Sequence, residues 1–379
     1  MINTEGLQSQ TIRWLRFPLA VAVVFTHNIS NTEVNAYISQ IDWLNLSGMD
    51  VYNSIQYLVS CLIARCARPC FFIFSGFLFF QKINEWNKQV YFEKIKRRVK
   101  TLIIPYLLWN IIPLVIMFFF RFIRSDGSLT MWFDQLNEKG ILKVFWNYHS
   151  SSGINILGNP VTWYYPYNWT LWFVRDLIVL SFLSPLIYYF LKNTKLVGIV
   201  ILGICFCTQV WIFIPGFIID SVFFFSFGAF FSIHGKMFDT ELSKGKIIWL
   251  LLAMTTMILT IYYHATNMTV ILVNLFIIAG SITTINFGTW LMERGWINGN
   301  SASVRFLAKT SFFIFVMHTV FLLQWSNRIV NLIIISDSAF FLILKYLTAP
   351  FLCVCICVGL YYLADKIAPK LLKVLTGNR

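Results

Sequence analysis

Charge is scarce in this chain, and negative charge scarcest of all. Of 379 residues, 12% are charged, with 16 Asp and Glu against 30 Lys and Arg, while 58% are hydrophobic. A soluble domain of this length has no way to bury that much apolar surface behind so thin a polar coat, so soluble enzyme classes are excluded. Long polar segments are also few. The stretches outside apolar runs are mainly 31–56, 82–100 and 123–169, too short for a separate enzyme domain. The eight cysteines (Cys61, Cys66, Cys70, Cys205, Cys207, Cys353, Cys355 and Cys357) all fall inside apolar runs, which argues against a disulfide framework and a zinc site. Cys353 and Cys357 share a helix face and read as small apolar filler. No internal repeat stands out, which weighs against an inverted-repeat transporter. The first apolar run follows two arginines and lacks a small-residue cleavage site, so it is expected to stay in the protein as a span.

What the chain has in abundance is apolar runs of membrane-crossing length. They lie at about 12–30, 57–81, 101–122, 170–191, 195–213, 217–233, 246–264, 268–291, 304–324 and 340–364, each near the roughly 18 to 25 residues that cross a ~30 Å hydrocarbon layer. Only "IPG" around Pro215 separates the fifth run from the sixth. The expected fold is therefore all-α: a polytopic membrane protein of about ten transmembrane helices, forming one integral domain over 1–379. Loops alternate sides, and one set holds eighteen Lys and Arg, seven of them between Lys82 and Lys100. Arg13 and Arg16 join that set, whereas the opposite set offers Arg124, Lys139, Lys143 and Arg328. The positive-inside rule then puts both termini in the cytoplasm, with the protein in the inner (cytoplasmic) membrane among membrane lipids. The net charge of +14 follows from orientation, and a nucleic-acid partner is not needed to explain it.

Several ionisable groups nevertheless lie inside the runs, where each costs on the order of 2.5 to 3.5 kcal/mol on insertion scales and so marks a candidate site. Arg65 and Arg68 are three apart on one helix face in the outer half of the second span. Arg175 and Asp176 lie one or two turns into the fourth from the outer side, and His27 and His318 each come late in an outward-running span. Their similar depth points to one cavity leaning to the outer side. Asp176 is expected there as counter-ion to an arginine or as orienter of a histidine. The plainer alternatives are hydrogen-bonded packing histidines and a structural ion pair. The outer stretch "NYHSSSGINILGNPVTWYYPYNW" is rich in Gly, Ser, Asn and aromatics, which suits a loop over a polar cavity. Its Trp163, Tyr164, Tyr165, Tyr167 and Trp169 are compatible with sugar stacking, and equally with an interfacial aromatic belt.

In "RFPLAVAVVFTH", Arg16 and His27 are eleven residues apart, which on a helix puts both on one face about 16 Å apart along the axis. A ligand anchored by phosphate at Arg16, with a long arm ending at His27, would touch both, and coenzyme A has that shape. The competing explanation is that Arg16 sits at the inner interface for orientation alone.

At these residues the chain resembles the membrane-bound acyltransferase family 3, integral-membrane O-acyltransferases that modify bacterial surface glycans and lipids. The family signature is an arginine, ten residues and a histidine, matched by Arg16 and His27. "RCARPCFFIFSGFLFF" is similar to the second-span pattern through Arg65, Pro69, Phe71, Phe72, Ser75 and Gly76; "YFEKIKRRVKTLIIPYLLWN" resembles the basic loop before a Pro-Tyr, here Pro105 and Tyr106. "LWFVRDLIVLSFLSPLIYY" matches the Leu-Trp-Phe segment through Leu171, Trp172 and Phe173, and "SFFIFVMHTV" the late pattern of Ser311 and His318. One departure is clear. Many members carry two arginines three apart before the Pro-Tyr, whereas here Thr101 stands three after Arg98; Arg97 with Lys100 is the substitute at shifted register.

The resemblance implies a stand-alone O-acyltransferase of the cell envelope. His27 is then the expected base, or the carrier of an acyl-imidazole, with Asp176 and His318 completing the catalytic group. Arg16, Arg97, Arg98 and Lys100 are the expected donor-phosphate ligands. Arg65, Arg68, Arg175 and Ser311 are the expected groups for polarising the thioester or holding the acceptor, and Trp163, Tyr165, Trp169 and Trp172 form the acceptor loop. No metal and no resident cofactor are expected; acyl-CoA, by default acetyl-CoA, is the co-substrate, and a glycan or lipid-linked sugar is the acceptor. The alternative class is a secondary transporter or flippase for a glycolipid or anionic solute, with the same intramembrane charges binding cargo or relaying protons.

Overall fold

The computed structural model describes residues 4–378 apart from 84, 125, 126, 156, 265 and 267. Uninterrupted apolar sequence becomes helix wherever the backbone must satisfy its own hydrogen bonds, and a helix lies on each of the ten expected segments. In chain order these are α1 (Thr4–Thr26), α2 (Gly48–Phe80), α3 (Lys88–Arg124), α4 (Trp169–Phe182 and Ser184–Thr194), α5 (Leu196–Thr208), α6 (Ile219–Ile233), α7 (Lys246–Tyr262), α8 (Met268–Glu293), α9 (Ala302–Ile333) and α10 (Ala339–Ile367). Their starts carry local signals. Ser47 and Asp50 form a reciprocal capping box at α2, and the Ser301 hydroxyl accepts from the Val304 N–H at α9.

Length and apolarity together sort these helices into two kinds, except α1, whose 23 residues fall in neither. Among the described residues, α2, α3, α8, α9 and α10 are long and apolar enough to cross a membrane, and α4 makes a sixth if its two halves count as one span. The halves meet at 70°, because Pro185 opens the second half without an N–H to continue the first. Helices α5, α6 and α7 have 13, 15 and 17 residues, shorter than the sequence suggested. The fifth expected run reached residue 213, but its helix stops at Thr208, where Gln209 takes a left-handed conformation (φ 55°).

The long helices are not regular throughout. In α2 a π turn (Tyr57–Leu62) and a 3₁₀ turn (Ile63–Cys66) lie between two α-helical parts, so the helix changes pitch just before Arg68. In α9 the α-helix ends at Met317, and the segment His318–Leu322 contains non-helical backbone at Val320 and Phe321. Such irregular turns recur at functional sites. The tightest packing joins α2 to α6. An added Cβ at Gly76 would lie 2.0 Å from the Phe225 carbonyl oxygen, and one at Gly228 would lie 1.9 Å from that of Ile73. The two backbones touch because both positions are glycine.

The outer stretch 123–169 departs from the all-helical expectation. It holds a two-stranded antiparallel hairpin, β1 (His149–Ile154) with β2 (Pro160–Tyr165), in register from His149↔Tyr165 to Ile154↔Pro160. Its turn is built locally: the Asn155 side chain accepts from the N–H groups of Leu157 and Asn159, and Gly158 supplies φ 78°.

Candidate active site

His27 follows the last residue of α1, its N–H bonded to the Val24 carbonyl at 3.1 Å. Its ring stacks on that of His318 (centroids 5.3 Å, 21° between planes) and meets Trp169 edge-on at 4.4 Å. The two histidines come from helix ends far apart in sequence. Asn168 helps fix the second of them. Its amide nitrogen donates to Trp109 O (3.1 Å) and Val316 O (3.2 Å), and its amide oxygen accepts from Thr170 (2.9 Å) and Thr319 (3.4 Å).

The tautomer of His318 follows from its partner. Nδ1 lies 2.9 Å from the Ile314 carbonyl, which only accepts, so Nδ1 carries the proton and neutral Nε2 offers a lone pair. Nε2 is buried and has no hydrogen-bond partner among the described residues. A buried acceptor left unsatisfied costs about 1–3 kcal/mol, and active sites are where such groups persist.

Beside the pair opens a cavity of about 610 Å³. Its walls bring together His27, Arg65, Arg68, Arg175 and all four residues of the expected acceptor loop, Trp163, Tyr165, Trp169 and Trp172. Arg68 stands over the Trp172 ring at 5.4 Å. Arg175 is heavily engaged: Nη1 donates to the carbonyls of Trp146 (2.8 Å) and Tyr164 (2.9 Å), and Nε and Nη2 donate to Asp176 Oδ1 (3.1 and 3.0 Å). Asp176 therefore takes the counter-ion role, to its own neighbour, and the pair clamps the hairpin onto α4. Tyr167 lies outside this cavity, in another of about 380 Å³ that also holds His149.

At the Arg16 end lies a smaller cavity of about 150 Å³, lined by Arg16, Arg98 and Ser311 among phenylalanines. Arg97 and Lys100 are exposed and do not line it, so of the four expected phosphate ligands two converge. Arg98 is held over the Phe79 ring at 5.1 Å. Ser311 lines this cavity and neither of those that hold His27. Seven residues of helix put about 10 Å between it and His318, so one shared face opens into two different spaces.

An aromatic partition separates the two ends. Phe71, Phe173 and Phe315 line the Arg16 cavity, with Phe173 packed 6.1 Å from Phe71 and 5.5 Å from Phe315. Behind Phe173 comes Phe72 at 4.4 Å, then Trp172 at 6.1 Å from Phe72, which faces the His27 cavity. Sequence reasoning missed Asp220, Gln209 and Asn274 in that larger cavity. Asp220 interacts electrostatically with Arg68 and Arg65, and its signal was available: a lone carboxylate opening an otherwise apolar run.

Residues 10–362 match the family model for an acyltransferase domain, family 3. The chain belongs to this acyltransferase family. It is 26% identical over 394 residues to the succinoglycan biosynthesis protein ExoH of Rhizobium meliloti (strain 1021), covering 98% of this chain and 92% of the relative. No solved structure matches it. The protein is thus an O-acyltransferase with several helices suited to a membrane, and family membership sets aside the transporter alternative.

Proposed function

We propose that this acyltransferase moves a short acyl group, acetyl as the first case to test, from cytoplasmic acyl-CoA to a hydroxyl of a cell-envelope glycan or lipid-linked sugar. The proposed topology has ten spans in the inner membrane and both termini in the cytoplasm. The observation that carries this reading is the pair of cavities: Arg16 and Arg98 in one, His27 and His318 at the other, with the Phe71/Phe173/Phe315 partition between. Phosphates of the donor are held by Arg16 and Arg98, since guanidinium groups bind phosphate oxygens through paired charge-assisted hydrogen bonds. The thioester arm passes the aromatic rings to reach the histidines.

There the acceptor hydroxyl gives its proton to His27 as its oxygen attacks the thioester carbonyl. The C–S bond then breaks, and the thiolate takes up the proton that His27 gained. His318 Nε2 accepts a hydrogen bond from a neighbouring hydroxyl of the same sugar, which satisfies its buried lone pair. Arg68, braced by Trp172 and Asp220, faces the developing oxyanion. The Arg175–Asp176 clamp positions the hairpin whose Trp163 and Tyr165 form the sugar-facing wall. Succinoglycan biosynthesis by the relative supports a glycan as acceptor.

The test supplies radiolabelled acetyl-CoA to membranes containing the protein and follows label into lipid and glycan fractions. Label in the glycan fraction that depends on the protein is the expected result; none in any fraction would count against the reading. Arg16→Ala is expected to raise the KM for acyl-CoA by about 10- to 100-fold, the loss of a charge-assisted hydrogen bond worth ~1.5–3 kcal/mol, with little change in acceptor KM. An unchanged donor KM would return Arg16 to a purely topological role.

A further inference from the structure

A second cleft, of about 540 Å³, has none of the arginines of the larger cavity in its wall. It is joined to the histidines by shared walls. Asn28 and Asn327 line both this cleft and the cavity of about 250 Å³ that holds His27 and His318. Three helices supply most of its polar groups, Tyr52 and Gln56 from α2, Asn327 and Asn331 from α9, and Lys345 and Tyr346 from α10, with Asn28 just after α1 and Asp337 just before α10.

The chemistry of this lining differs from that of the larger cavity. Four side-chain amides, Asn28, Gln56, Asn327 and Asn331, bring donors and acceptors without charge. The two charged residues in the wall cancel, Lys345 Nζ standing 2.7 Å from Asp337 Oδ1. Asn327 donates to Asn28 Oδ1 (2.8 Å) and Leu323 O (3.0 Å), and Asn28 donates to Tyr346 O (3.1 Å), so the amides nearest the histidines are locked in orientation. Asn331 is exposed, and its amide has no hydrogen-bond partner among the described residues.

We propose that this cleft is a second saccharide subsite, binding an uncharged sugar residue of the acceptor chain next to the one that is acylated. Fixed amides flanked by tyrosine rings match vicinal hydroxyls and the apolar face of a pyranose. A phospholipid headgroup fits poorly, because its phosphate would meet a single cation already neutralised by Asp337. The inference rests on the reading that His27 and His318 acylate a glycan. It adds that the acceptor reaches from the histidine pair into the adjoining cleft, so the enzyme acts on a chain of at least two sugars.

The probe is unacylated glycan from a strain lacking the enzyme, partly hydrolysed and sorted by size, with radiolabelled acetyl-CoA as donor. Expected is a KM at least about tenfold lower for oligosaccharide than for monosaccharide fragments. In the Gln56→Ala, Asn331→Ala double variant, the oligosaccharide KM rises by about tenfold, while kcat and transfer to monosaccharides stay unchanged, which also shows that the variant is folded. An oligosaccharide KM equal to that of the wild type overturns the subsite and leaves acyl transfer standing. No transfer by the wild type to any fragment overturns the acyltransferase-to-glycan reading, and the subsite with it.

Discussion

Replacing His27 with alanine is expected to lower acyl transfer by about 10²- to 10⁴-fold, the range a positioned general base contributes. The loss should fall on kcat, with the donor KM little changed, because Arg16 and Arg98 line a different cavity from His27. His27 is accessible to the large cavity and to the space it shares with His318, so truncation leaves a gap at the surface of the site and not a hole in the packed core. The variant should therefore insert and melt as the wild type does. His318→Ala should also lose activity but should destabilise the protein as well, since that ring is fully buried and anchored to Ile314. Wild-type turnover by His27→Ala would overturn the base assignment.

Gly76→Ala carries the largest expected effect on folding. The new methyl would sit 2.0 Å from the Phe225 carbonyl oxygen and 3.0 Å from the Ala229 nitrogen, both main-chain atoms that no rotamer change can move. Helices α2 and α6 would have to part by more than an ångström, and the Ser232 hydroxyl bond to Phe77 O (2.7 Å) crosses the same seam. Overpacking of this kind costs about 1–3 kcal/mol, and a contact onto backbone belongs at the upper end. Thermal unfolding in detergent measures it. Gly228→Ala should behave alike, its methyl falling 1.9 Å from Ile73 O. The double variant should cost clearly less than the sum of the two, because one separation of the helices relieves both clashes. Additive costs would mean that the two glycines do not share a single close approach.

The parts of this enzyme legible in its sequence are those written in local spacing or in the wrong polarity for their surroundings. Arg65, Arg68, Arg175 and His27 stood out as charge or imidazole within apolar runs, and all four line one cavity. The four aromatic residues of the acceptor loop gather there too. Other features depend on tertiary placement. That Arg16 and His27 open into separate cavities depends on Phe71, Phe173 and Phe315, which in sequence are ordinary span residues. The hairpin needs two strands to pair across a turn centred on Asn155 and Gly158, and no run of β-branched residues announced it. Amides such as Asn168 and Asn331 are short polar interruptions whose partners come from other helices, so their meaning appears only once those helices are packed. Ser311 and His318 share a helix face yet open into different cavities, because the helix rises about 10 Å between them.

In the proposed reaction the donor enters at the Arg16 end and the acceptor is acylated at the His27 end. Sealed vesicles of both orientations test it directly, with radiolabelled acetyl-CoA outside and unacylated glycan trapped inside. Labelled glycan is expected only where the Arg16 face is outward; where the His27 face is outward none is expected until permeabilisation restores transfer. No labelling in either orientation while the vesicles remain sealed, with transfer appearing only on permeabilisation, would contradict it, placing donor and acceptor on one side of the membrane.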